Sequence, residues 1–181
     1  MSGLGRVNVI VKVVTELLGD GAMRGLEVGV LNGQTTIGLL GALPNLRMWC
    51  VDPYAALSQE VYHTNCCREW TQERWDEEYT AVLKRFQPYD GRVMLLRTLS
   101  KDAMAEFDDE SFDFIFIDAN HGYDYVSQDI PGWWPKLRQG GIMFGHDYHY
   151  DDVKQAVQEF SDAHKLYITE EEDSVWWARK P

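Results

Sequence analysis

The chain has 181 residues, with 17 Lys and Arg against 29 Asp and Glu, for a formal net charge of −12. A content of 45% hydrophobic and 25% charged residues is that of a globular protein, and the length predicts a single domain over residues 1–181 with a substantial core. The acidic balance argues against a general nucleic-acid binder and against attraction to an anionic membrane, and no apolar run reaches the roughly 20 residues that span a bilayer.

The elements follow in chain order. Apolar residues at helical spacing (Val7, Ile10, Val11, Val14, Leu17, Leu18) predict a helix over residues 7–18, stopped by Gly19-Asp20-Gly21. Lys12 and Glu16 interrupt this stretch and no small-residue cleavage site follows, so it does not read as a signal peptide. Residues 24–30 predict a short strand. A turn over residues 31–36 then leads into a helix ending at Pro44, with Thr35 or Thr36 expected to cap its first turn. Residues 47–52 predict a second strand. Residues 55–86 are polar and aromatic and predict a helix from Thr71 onward. Strands are expected at 92–97, 112–118 and 140–145, with helices at 99–107, 123–137 and 151–164. Residues 166–169 and 174–178 predict closing strands joined by the acidic link 170–173, short enough for an antiparallel pair. Strands alternating with helices define an α/β sandwich, and the continuous apolar run at 112–118 suits a central parallel strand covered on both faces.

In such sheets ligands sit beyond the carboxyl ends of the strands, and four predicted strand ends carry polar groups there. In Glu27-Val-Gly29-Val-Leu-Asn-Gly33, the glycines let backbone approach a ligand closely where a helix begins. The pattern lacks GxGxxG, and Gln34 stands where a phosphate-binding lysine would be. Asp52, about 20 residues past that turn, can accept the hydroxyls of a ribose. Asp118 closes the apolar strand, and His121, three residues on, reaches the same mouth with the chemistry to take a proton from a hydroxyl. Gly145-His146-Asp147-Tyr148-His149 offers imidazole and carboxylate ligands for a divalent ion, beside a competing reading as a plain polar loop. Trp70 and Trp75 are candidates for an aromatic wall against an acceptor, and the run 170–173 for a solvated turn. The odd cysteine count (Cys50 and the adjacent Cys66 and Cys67), without CxxC spacing, predicts reduced thiols and a cytoplasmic protein.

Five segments in this order, LEVGVLNGQTT, VDPY, LSKDA, FDFIFIDANHGY and LRQGGIMFGHDY, resemble the class I S-adenosylmethionine-dependent methyltransferases from about Arg24 onward. The last two are most similar to the metal-dependent O-methyltransferases of the catechol and the sugar or antibiotic-tailoring types. The resemblance implies a Rossmann-like, mostly parallel seven-stranded sheet with a C-terminal antiparallel hairpin. It implies S-adenosylmethionine over Glu27, Gly29, Gly33, Thr35, Asp52 and Asp118, with Ser100 and Lys101 toward the adenine. It further implies a divalent cation (Mg²⁺ or Mn²⁺) on Asp118, His146 and Asp147, His121 as the general base, and a small hydroxylated acceptor. His146 stands where the family carries Asp, Glu or Asn, which shifts the expected ion away from Mg²⁺. Only one helix precedes Arg24, so residues 55–86, or a partner subunit of a homo-oligomer, are expected to cover the acceptor. An oxidoreductase, a metal-dependent hydrolase built on His121, His146, Asp147 and His149, and a non-catalytic cofactor-binding domain remain as alternatives.

Overall fold

A computed structural model describes residues 4–57, 67 and 69–181, and for Leu4 the backbone only. Residues 58–66 and 68 of the expected acceptor cover, Cys66 among them, therefore lie outside the described residues. The apolar run Phe112–Ile117 forms strand β4 in a seven-stranded sheet of order β3-β2-β1-β4-β5-β7-β6. The other strands are β1 (Met23–Val28), β2 (Leu46–Val51), β3 (Val93–Leu96), β5 (Leu137–Gly145), β6 (Thr169–Glu170) and β7 (Trp176–Arg179). The pairings among β1 to β5 are parallel, while β7 runs antiparallel to both β5 and β6. This is the expected three-layer, Rossmann-like architecture. Chain order reverses between β1 and β4, so the crevice for a ligand opens where Val28 and Ile117 pair side by side.

Period-two alternation in β4 sends Phe114 and Phe116 to one face and Ile115 and Ile117 to the other, while Phe112, before the register shift, joins the second cluster. The first face packs on helix α1 (Leu4–Leu18) and helix α2 (Gln34–Ala42) through Ile10, Val14, Leu39 and Leu40. The second packs on helix α5 (Tyr123–Trp133) and helix α6 (Asp151–His164) through Ile130, Trp133, Val153 and Val157. Burial on both faces explains why this strand has almost no polar residues. Helix α3 (Gln72–Phe86) begins at Thr71, whose hydroxyl accepts the Arg74 N–H. Helix α4 (Ser100–Ala103) is one turn long and passes into a 3-10 turn.

Several boundaries differ from the sequence reading. Helix α1 begins before Val7, which places Arg6 in its first turn. Gly33, at φ 73°, is the N-cap of α2, and neither Thr35 nor Thr36 caps it; the left-handed glycine turns the chain into the helix without a side-chain acceptor. Strand β5 starts at Leu137, and its register against β4 shifts between Phe112 and Phe114, where Gly140 (φ 72°) absorbs the irregularity. Strand β6 is two residues long, and residues 172–174 form a 3-10 turn in which Asp173 and Ser174 adopt φ of 57° and 55°. Trp75 is buried in the core beside Tyr54, with Trp70 packed against it at 4.8 Å, so Trp75 serves packing and is no free wall. Among the described residues no helix is long and apolar enough to cross a membrane.

Candidate active site

Two clusters stand at the carboxyl edge of the sheet. The first lies beyond β1 and β2. Glu27 is buried, accepts the Thr36 hydroxyl proton, and lies beneath the turn with Cys50, whose sulfur is 3.1 Å from the same hydroxyl. Burial pushes its carboxyl up to about 8, against the lowering effect of the Thr36 hydroxyl, so it is largely a neutral acid at physiological pH. Gly29 has φ of 87°, and a Cβ there would lie 2.2 Å from the Asp118 carbonyl oxygen. It is glycine because β4 ends against it. Asp52 Oδ2 accepts the N–H groups of Val30 and Leu31 at 2.9 and 3.0 Å, and Oδ1 accepts that of Tyr54 at 2.9 Å. Leu31 and Tyr54 are themselves left-handed, at φ 49° and 43°, and the Tyr54 hydroxyl donates to the Leu31 carbonyl. One carboxylate thus fixes two strained turns. Burial raises its pKa, with these backbone donors pulling the other way. Two donors saturate Oδ2, and Oδ1 retains an acceptor position of the kind a ribose hydroxyl needs.

Ser100 and Lys101 begin α4, past the end of β3. The Ser100 hydroxyl donates to Asp129 at 2.5 Å and accepts from the Trp133 indole at 2.9 Å, so it faces inward, toward α5, and Lys101 is exposed. Asp129 is raised to about 6 by burial, despite that hydrogen bond. Thr35 lies buried in the first turn of α2.

The second cluster gathers at the ends of β4 and β5. His121 Nε2 is 2.7 Å from Asp147 Oδ2, and His146 Nδ1 is 3.1 Å from that oxygen and 3.5 Å from Asp118 Oδ1. His149 contributes only at the rim, 3.9 Å from Asp147 Oδ1, with its Nδ1 on the Ser174 hydroxyl. Asp147 adopts φ of 58°, which turns the chain out of β5 and brings its carboxylate back over the sheet edge. Burial opposes its ionisation, yet the neighbouring imidazoles of His121 and His146 outweigh burial and hold its carboxyl well below the usual range. For His146 burial likewise works against charge, and Asp147 and Asp118 reverse the balance and raise its pKa. Asp118 is raised, chiefly by burial, with Arg6 and His146 lowering it. The His121 ring stacks on Tyr150 at 5.3 Å.

Two members of this cluster carry no sequence signal. Arg6 reaches from the first turn of α1 and donates to Asp118 Oδ2. Asp173, on the turn before β7, accepts the Arg6 backbone N–H at 3.0 Å and lies 3.7 Å from its Nε and 3.9 Å from His146 Nε2. The link read as a solvated turn therefore delivers an acid to the site, because its left-handed residues aim Asp173 inward.

The donor chemistry fits a divalent cation. Asp118, His121 and Asp147 present ligand atoms within 4.8 Å of one another. His121 Nδ1 and both His146 nitrogens are buried without a hydrogen-bond partner. A cavity of about 10 Å³, the space of one water-sized sphere, is lined by Asp118, His121, His146 and Trp176 among others. A mixed imidazole and carboxylate set suits Mn²⁺, Fe²⁺, Co²⁺ or Zn²⁺ better than Mg²⁺. The wider groove along the outer face of α3, lined by Glu73, Asp76 and Lys84, is open surface remote from these groups.

Sheet order, the reversal at β1/β4 and the acids at successive strand ends define an α/β protein with a ligand crevice at its topological switch point. A family model described as a methyltransferase domain matches residues 26–148, more than half of the chain, and the chain belongs to that family. The O-methyltransferase NovP shares the fold with a TM-score of 0.73 at 19% identity, over 97% of this chain and 79% of that one. An O-methyltransferase from Bacillus cereus, solved in complex with SAH (S-adenosylhomocysteine), does so at 0.61 and 17%, over 97% and 80%. A stretch of 72 residues, 40% of this chain, is 32% identical to the uncharacterized protein y4gI of Sinorhizobium fredii, and covers 8% of that protein.

Proposed function

We propose that the chain is an S-adenosylmethionine-dependent O-methyltransferase acting on a hydroxyl of a small sugar, polyol or phenol. The observation that carries this reading is the His121–Asp147 pair at the strand ends, beside the turn clamped by Asp52. An ionised carboxylate only accepts, so His121 Nε2 bears the hydrogen and Nδ1 is left with a lone pair. That Nδ1 is buried and has no hydrogen-bond partner, so it is available for the acceptor's hydroxyl proton. Asp147 fixes the tautomer and stabilises the imidazolium that proton transfer creates. Asp52 holds the turn over which the nucleoside lies, and its Oδ1 is the acceptor for a ribose hydroxyl. Bound S-adenosylmethionine supplies a sulfonium methyl, whose bond to sulfur breaks as the acceptor oxygen's electron pair forms the new C–O bond. Divalent-cation assistance belongs to the same reading: Asp118, His146 and Asp147, with His121 beside them, would hold the ion, which would lower the pKa of the acceptor hydroxyl.

Residues 1–181 act in this reading as one methyltransferase domain. The buried thiols of Cys50 and Cys67 support a cytoplasmic setting. The test is transfer of labelled methyl from S-adenosylmethionine to a panel of hydroxylated small molecules. With an accepted substrate, His121→Ala lowers turnover by about 10²–10⁴-fold. Unchanged turnover removes His121 from the role of base.

A further inference from the structure

The cluster is charge-compensated by the chain itself. Asp118 carries Arg6 on Oδ2 and faces His146 from Oδ1. Asp173 faces the same two residues, Arg6 through Nε and His146 through Nε2. The four groups form a ring in which Arg6 and His146 alternate with the two carboxylates, built from α1, the residues just past β4 and β5, and the turn before β7. Arg6 is placed there by the backbone as well as by charge. Its N–H, one of the donors that a helix start leaves unpaired, is taken by Asp173. Gly5 makes the approach feasible, since a Cβ on it would lie 2.8 Å from the Asp173 carboxylate. The guanidinium is partly buried, with side-chain exposure of 22%, and stands at the acid that any cation in this cluster would use.

We propose that Arg6 is the built-in counter-ion of Asp118 and competes with a divalent cation for that carboxylate, so that the first turn of α1 sets how readily the site takes up metal. A carboxylate oxygen holding a guanidinium has that lone pair committed, and the guanidinium's positive charge repels a second cation beside it. Apparent metal affinity is then the intrinsic affinity multiplied by the fraction of molecules in which Arg6 is withdrawn. This deepens the reading above at the same site, while resting for its own evidence on the geometry of Asp118.

The test is a Mn²⁺ titration of the full chain, following free Mn²⁺ by electron paramagnetic resonance. With Arg6 in place at least nine-tenths of the time, Arg6→Ala and its stem-preserving counterpart Arg6→Gln bind Mn²⁺ at least about tenfold more tightly than wild type. Arg6→Lys, which keeps the charge, stays near wild type. Adding Asp118→Asn to either neutral variant abolishes the gain. Guanidinium at non-denaturing concentration, matched against sodium chloride, weakens Mn²⁺ binding to Arg6→Ala and leaves wild type unaffected. Equal affinity in wild type and in whichever neutral variant keeps the native circular dichroism spectrum overturns the proposal. So does a gain that survives Asp118→Asn. Titration with S-adenosylhomocysteine, run separately, reports on the methyl-transfer reading, so the two can fail independently.

Discussion

The two halves of the site are held together in opposite ways. Beyond β1 and β2 the polar groups are closed by nearby backbone: Asp52 takes the N–H groups of Val30, Leu31 and Tyr54, partners within 22 residues of it in sequence. Beyond β4 and β5 they are closed by side chains from distant elements, Arg6 with Asp118 across 112 residues and Arg6 with Asp173 across 167. The first half is a fixed frame, with its donors and acceptors largely matched. The second keeps buried imidazole nitrogens unmatched, which costs stability and provides groups able to bind and move protons. A rigid binding frame beside an under-satisfied reactive cluster is the division of labour that a group-transfer site requires.

The joint between the halves is Gly29, pressed against the Asp118 carbonyl, and breaking it has the largest effect. Gly29→Ala combines a disfavoured positive φ with a Cβ 2.2 Å from that oxygen. It should destabilise the fold by about 3 kcal/mol or more by urea unfolding and weaken both halves together. Asp52→Ala attacks the frame alone. It leaves three backbone N–H groups without their acceptor and should cost about 2–4 kcal/mol, with loss of measurable S-adenosylhomocysteine binding. A variant as stable as wild type would show that the turn holds itself without the carboxylate.

Asp129 gives a smaller, pH-dependent test at a point outside both halves. Its folded-state pKa is about 6 against an ordinary 3.8, so between those values the folded protein holds a proton that the unfolded chain has released. Stability from this group is therefore full below about pH 4, falls as pH rises to about 6, and stays lower above it. Asp129→Asn, which keeps an acceptor for Ser100, should gain up to about 3 kcal/mol above pH 7 and nothing below pH 4 in paired unfolding curves. A gain independent of pH would place the effect in packing.

The same contrast explains what the sequence makes legible. Asp52, Asp118, His121, His146 and Asp147 are readable because strand ends converge on one edge of any parallel α/β sheet, so a polar residue closing an apolar run lands at the mouth. The antiparallel β6–β7 pair is legible from the short acidic link, whereas the seven-stranded sheet is implied only by the family resemblance. Arg6 and Asp173 are not readable: one lies just before the helical pattern of residues 7–18, the other ends a run of acids, and only the tertiary fold joins them. The sequence preference for a hydroxyl cap points to Thr35 or Thr36, but Gly33 takes the N-cap of α2 in a left-handed conformation that closes the turn unaided. Tryptophans read first as core residues, with an aromatic wall as the lesser reading for Trp70 and Trp75, and burial of Trp75 at 3% exposure decides for core.

The most direct test of the account is a calorimetric titration of the purified chain with S-adenosylhomocysteine, before and after chelation. If, as proposed, the Asp52 frame holds the nucleoside and a metal serves only the acceptor, binding saturates in the micromolar range in both states. Absence of binding in both states would contradict the methyltransferase reading and turn attention to metal-dependent hydrolysis at His121, His146 and Asp147.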